Sequence, residues 1–194
     1  LTVINNVIEE ATQVLEIKPD GKVNFLFLGS IGQRKGVFDL LQVLLQGRAD
    51  FKDRFTLTIG GNGEVDRLLQ TIAAHHTDGS VSYAGWVNGD RKKELLRQCD
   101  VYVLPSYNEG LPISVLEAIA YGKPVISTNV GGIPEIVRPG FNGWLFEAGD
   151  HQALQSIISE VLDNKEKLKA YGENSLLLSR SYTPKAVFAS LDVL

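Results

Sequence analysis

Glu109 and Glu117 are separated by seven residues in the stretch Asn108-Glu-Gly-Leu-Pro-Ile-Ser-Val-Leu-Glu-Ala-Ile-Ala-Tyr-Gly122. Two carboxylates this close invite an acid–base reading, but their surroundings set them apart. Pro112 suits the first position of a helix and Gly122 its end, which predicts a helix over 112–121. Glu117 is the one charged residue in it. Its neighbours are apolar or small all round, so the helix is expected to be buried on most sides. A carboxylate there is costly unless something satisfies it. Ribose hydroxyls are one solution, and an Arg, Lys or backbone N–H inside the protein is the other; the residues leave both open. Glu109 precedes the helix, in the loop after a strand over 101–104. Acidic residues favour helix starts because of the dipole. Equally, a carboxylate beside the N–H groups of Gly110, Leu111 and Ile113 makes a polar pocket for a sugar and its phosphates. Pro112 has no N–H to give.

A second group is Gly29-Ser-Ile-Gly-Gln-Arg-Lys-Gly36, between a strand and a helix. Arg34 and Lys35 enter a loop rich in bare backbone, and a Lys can reach a diphosphate as a point charge; surface exposure is the commoner fate of both types. The segment is not a P-loop, because the spacing of glycine, four residues and Gly-Lys-Ser/Thr does not occur. Gly60-Gly-Asn-Gly-Glu64 resembles a dinucleotide fingerprint only in part: counted from Gly61, the third glycine should fall at position 66, which is Asp66. NAD binding is therefore discounted. The single cysteine, Cys99, rules out a disulfide within the chain and reads as a small core residue among Leu95, Leu96 and Val101. His75, His76 and His151 lack metal-ligand spacing and read as solvated, as do Arg91, Lys92 and Lys93 at a helix start.

The elements that must position these residues alternate. Strands are predicted over 23–28, 55–59, 81–84, 101–104, 125–127 and 144–146. Helices are predicted over 37–46, 65–75, 92–98, 112–121, 133–137, 152–163, 165–178 and 184–193. Such alternation means an α/β fold with a parallel sheet and helices on both faces. Glycines crowd the loops that follow a strand and precede a helix, Gly29, Gly32, Gly36, Gly60, Gly61, Gly63, Gly85, Gly110, Gly131 and Gly132 among them, and are fewer on the opposite edge, where Gly47, Gly79 and Gly122 lie. That asymmetry points to the carboxyl ends of the strands, where open α/β sheets bind ligands and helix N-termini suit phosphate. A chain that is 44% hydrophobic and 22% charged, with net charge −4, is ordinary for a globular domain and argues against a nucleic-acid binder. No apolar run is long enough to span a membrane, and no signal peptide opens the chain. The chain has no methionine and starts at Leu1-Thr-Val-Ile, which reads as a piece of a longer protein. Residues 1–22 read as a lead-in ending at the turn Pro19-Asp-Gly21, and 23–194 as one domain.

From Val23 to Phe146 the chain resembles the C-terminal domain of the group 1 (family 4) glycosyltransferases. The ordered motifs are Phe27-Leu-Gly with Arg-Lys-Gly36, Gly61-Asn-Gly-Glu64, Tyr83-Ala-Gly-Trp-Val87 and Asp100-Val-Tyr-Val-Leu-Pro-Ser106. The glutamate pair, Gly122-Lys-Pro-Val-Ile-Ser127 and Gly131-Gly-Ile-Pro-Glu135 complete them. The resemblance implies one Rossmann-like lobe of a GT-B fold, a three-layer sandwich around a parallel sheet of about six strands. It implies that Glu109, with Gly110 and Leu111, meets the donor sugar and that Glu117 meets the ribose. Lys35, Arg34 and the Ile113 N–H would take the phosphates, and backbone near Trp86 and Val87 would line the base pocket. Family members are typically retaining and need no bound metal, and no Asp-x-Asp motif occurs here.

The implied activity is transfer of a hexosyl unit from a UDP-, GDP- or ADP-sugar to a glycan or lipid-linked acceptor. Work in surface polysaccharide assembly, in the cytoplasm or at the inner face of the membrane, is common in the family. No cofactor is implied. The acceptor site and a catalytic His belong to an N-terminal lobe, through which peripheral membrane contact would run, so this chain alone is expected to bind donor without turnover. One departure is Ser30, where the family often has Arg after the first-strand glycine. It motivates a rival from another class, a non-catalytic nucleotide-binding module with a degraded phosphate clamp. A sugar-nucleotide epimerase of the same fold is a third reading, which the ordered motifs disfavour.

Overall fold

The computed structural model describes residues 21–46, 51–75, 77 and 79–182. Most of the predicted lead-in, the predicted helix over 184–193, Gly47 and His76 lie outside them. The strands are β1 (Val23–Leu28), β2 (Phe55–Gly60), β3 (Val81–Tyr83), β4 (Val101–Leu104), β5 (Val125–Thr128) and β6 (Gly143–Phe146). The α-helices are α1 (Val37–Gln46), α2 (Val65–Ala74), α3 (Gly89–Gln98), α4 (Ile113–Ala120), α5 (Ile133–Ile136), α6 (His151–Asp163) and α7 (Glu166–Ser179). Every strand pairing is parallel, in the order β3-β2-β1-β4-β5-β6. β4 and β5 are buried at every position, as expected of strands covered on both faces.

Right-handed crossovers put α1 and α2 on one face, where the Arg67 guanidinium lies 3.9 Å over the Phe38 ring; α6 packs against α1. On the other face α4 packs against α5 and α7, and α3 runs beside α4. Lys123 fastens that pair at the lower edge of the sheet. Its ammonium, on a residue 4% exposed, donates to the Arg97 and Cys99 carbonyls at 2.9 and 2.8 Å, acceptors that the end of α3 leaves open. Burial holds the Lys123 amine below the usual lysine range. At the same end, Arg97 lies 5.6 Å from the Tyr121 ring centroid.

Boundaries differ from the sequence expectation where polar residues begin or end a helix. α3 starts three residues early, at Gly89, because its first turn is Gly-Asp-Arg and carries no apolar period; Asn88 stands before it in extended conformation. Pro112 is the residue before α4 and not its first member: at φ −72, ψ 118 it is extended.

Candidate functional site

The strand order reverses between β1 and β4, and the loops after these two strands touch. Gln33–Lys35 forms a single 3-10 turn, and Gly36 follows it at φ 70. A Cβ on Gly36 would stand 1.9 Å from the Pro105 carbonyl oxygen, so only glycine permits the approach. The Tyr107 N–H and the Ser106 hydroxyl both donate to the Arg34 carbonyl, at 2.9 and 3.0 Å. Arg34 Nη1 donates to the Asn108 carbonyl at 3.3 Å. This stitching sets Lys35 Nζ 2.5 Å from Glu109 Oε1. The pair is well covered, with side chains 15% and 7% exposed respectively.

The loop after β5 completes the enclosure. Gly132 N–H donates to the Gly110 carbonyl at 2.7 Å, and Gly131, at φ 55, would set a Cβ 1.8 Å from the Glu109 carbonyl oxygen. This corrects the reading of the glycine asymmetry. Gly36, Gly61, Gly63 and Gly131 are bare because backbone of a neighbouring loop occupies the space. Only Gly85 and Gly110 among the loop glycines face open space on this edge of the sheet.

Glu117 is less covered than its helix suggested, and one of the two solutions left open for its charge is present in the protein. Its side chain is 24% exposed, more than that of Glu109, because α4 presents it to the gap beside α3 and not to the core. It also has a partner within the protein: Lys92 Nζ lies 2.5 Å from Glu117 Oε1. Lys92 is therefore not merely solvated. In both pairs the lysine takes Oε1, and Oε2 of each glutamate has no protein partner among the described residues. The N–H groups of Gly110, Ile113 and Ser114, around the first turn of α4, likewise have no acceptor among the described residues. Unmatched N–H groups at a helix start suit an anion. The Ile113 side chain is exposed and Leu111 packs on the core edge.

Trp86 is 65% exposed. Val87 turns inward, into room that Gly60 leaves by having no Cβ, so a ligand in that loop would meet Val87 through backbone only. Ser30 is exposed at the tip of the β1 loop. The structure thus brings Lys35, Arg34, Glu109 and Gly110 together at the head of α4, with Glu117 one turn below and Trp86 on the neighbouring loop.

Other expected residues resolve differently. Cys99 is buried, and burial pushes its thiol up to about 12, which leaves no thiolate for chemistry at neutral pH. His75 is exposed and its Nδ1 lies 2.9 Å from the Thr71 carbonyl. His151 is not simply solvated: its Nε2 lies 3.0 Å from Asp39 Oδ1, because α6 begins at His151 and packs on α1. Partial burial and the Asp39 carboxylate hold the nearby Tyr107 hydroxyl above its usual range. Among the described residues no group of three His, Cys, Asp or Glu side chains is placed to hold a metal, and no helix is long and apolar enough to cross a membrane. A separate cavity of about 280 Å³ lies between α3 and the starts of β1 and β2, lined by Asn24, Thr56, Thr58 and Gln98 among others. None of the residues at the loop junction borders it.

The sequence matches the family model described as glycosyl transferases group 1 over residues 8–176. It is 32% identical to glycosyltransferase MJ1178 of Methanocaldococcus jannaschii over 84% of the chain and 45% of that relative. The fold is similar to that of the lipopolysaccharide outer core galactosyltransferase WaaB, with TM-score 0.84 and 22% identity over 98% of this chain and 54% of that one. It is also similar to Anabaena HepE in complex with UDP, with TM-score 0.77 and 22% identity over 90% of this chain and 50% of that one. The chain therefore spans about half the length of these proteins, or less.

Proposed function

Because the chain belongs to the glycosyl transferases of group 1, we propose that it is the donor-binding lobe of a retaining glycosyltransferase, the half of a GT-B enzyme that holds the nucleotide sugar. The observation that carries this is the junction of the β1 and β4 loops. Lys35, Arg34 and Glu109 meet there over the unmatched N–H groups of Gly110 and Ile113, at the crevice where open α/β sheets take their ligands.

In this reading the diphosphate lies against Lys35, Arg34 and the Ile113 N–H, where helix dipole and cations act together. Glu109 accepts from the hydroxyls of a hexosyl group, beside the backbone of Gly110 and Leu111. Glu117 accepts from the ribose, and backbone at Trp86 and Val87 borders the base. The two glutamates stand in separate Lys pairs and act as binding groups, not as an acid and a base. The N-terminal lobe would bring a glycan or lipid-linked acceptor and a catalytic His, with any contact to the inner face of the membrane, so this chain alone binds donor without turnover. HepE was solved with UDP and WaaB is named for lipopolysaccharide, which makes UDP the first nucleotide to test and a surface glycan the first acceptor class.

Calorimetric titration with UDP, GDP and ADP tests the reading. One of the three is expected to bind, and Glu117→Ala is expected to weaken it about tenfold, the loss of roughly 1.4 kcal/mol of hydrogen bonding to a charged group. No binding by any of them at millimolar concentration would contradict it. Ser30 favours one rival, the non-catalytic module with a degraded clamp. Ser30→Arg separates the two. The donor-lobe reading expects the wild type to bind, with Arg34 already on the same loop, and Ser30→Arg to change affinity by less than about threefold. Binding that appears only in Ser30→Arg would favour the rival.

A further inference from the structure

α3 and α4 both begin at the ligand edge of the sheet and descend side by side. Lys123 and the Arg97–Tyr121 contact already hold them together at the far end. The Lys92–Glu117 pair is the contact nearest the site, and it differs from the others in what it leaves exposed. It engages only Oε1 of Glu117, on a carboxylate still 24% accessible, while Oε2 keeps its lone pairs for an incoming donor. Lys92 also sits in the first turn of α3, four residues after Asn88, whose carbonyl accepts its N–H at 3.2 Å. Trp86 and Val87 immediately precede that turn. One lysine thus touches the carboxylate on α4 and the helix start that carries the Gly85–Asn88 loop.

We infer that Lys92 is a positioning residue for nucleoside recognition, resting on the proposed role of Glu117. By gripping Oε1 it fixes the rotamer and charge of Glu117, so that Oε2 is presented to a pair of sugar hydroxyls without a search through side-chain conformers. By the same bond it keeps the loop of Trp86 and Val87 at a set distance from α4, so ribose and base are measured by one frame. The diphosphate end, built on Lys35, Arg34 and the first turn of α4, does not depend on it.

That division gives the test. Wild type, Lys92→Met and Lys92→Arg are titrated with the nucleoside diphosphate among UDP, GDP and ADP that binds the wild-type chain, and separately with inorganic pyrophosphate. Lys92→Met is expected to weaken the nucleoside diphosphate about tenfold and leave pyrophosphate within about twofold, and Lys92→Arg to recover most of the loss. If Lys92→Met binds the nucleotide as the wild type does, the inference fails while the donor-lobe reading stands. A loss of pyrophosphate equal to the loss of nucleotide would mean general damage, and would also overturn it. A wild type that binds none of the three nucleotides overturns both.

Discussion

Gly131→Ala is expected to destabilise the chain by roughly 3–5 kcal/mol and to abolish measurable nucleotide binding. Two effects add. The left-handed backbone at φ 55 disfavours any side chain, and the new Cβ would stand 1.8 Å from the Glu109 carbonyl oxygen. That oxygen belongs to backbone held on both sides, so relief requires the β5 loop or the Glu109 loop to move. Either shift breaks the Gly132–Gly110 hydrogen bond and carries Glu109 away from Lys35. Gly110→Ala is the contrast: its Cβ meets nothing within 4 Å, so stability should stay within about 0.5 kcal/mol. A methyl in the open space beside Glu109 should still weaken a nucleotide sugar, if that space is the donor's. Urea unfolding midpoints check the stability of both variants. A Gly131→Ala chain as stable as the wild type would show that the loop junction is looser than its geometry.

Lys35→Met should be nearly as damaging, by a different route. It leaves the Glu109 carboxylate 7% exposed with no cation, and removing one partner of a buried pair commonly costs about 3–5 kcal/mol. Because Lys35 is not fully covered, the lower end of that range is expected. Binding of the nucleoside diphosphate should fall at least about tenfold, since one of two cations at the phosphates is gone. The double variant Lys35→Met with Glu109→Leu separates the two losses. Replacing a buried pair by apolar groups of similar size is often neutral, so stability should return while nucleotide binding does not. Recovery of binding in the double variant would show that Lys35 serves only to neutralise Glu109.

Strands were legible in the sequence because they are short, largely apolar runs closed by turn residues, as in Val23–Leu28 before Gly29 and Val101–Leu104 before Pro105, and this pattern survives without tertiary information. Helix starts were less legible. α3 opens on charged residues whose side chains face water, so its first turn carries no apolar signal. The candidate site was legible as a set of residue types that the fold gathers at one sheet edge, and the glycine asymmetry pointed to that edge. The partners were not legible. Lys35 and Glu109 are 74 residues apart, and Asp39 and His151 are 112 apart; nothing local marks such pairs. Lys92 looked like part of a solvated basic run because its neighbours Arg91 and Lys93 are of the same type, and only the descent of α3 beside α4 brings it to Glu117. The neutrality of α4 pointed to a buried Glu117, but its side chain is 24% exposed, and it is Glu109, under three loops, that is the more covered.

The most direct measurement is a crystal structure of the chain with its preferred nucleoside diphosphate. The account predicts ribose hydroxyls on Glu117 with Lys92 still on Oε1, the diphosphate between Lys35 and the N–H groups that open α4, and the base beside the Trp86–Val87 backbone. A nucleotide seated elsewhere, for instance in the cavity lined by Asn24, Thr56 and Thr58, or one that leaves Glu117 untouched, would contradict it.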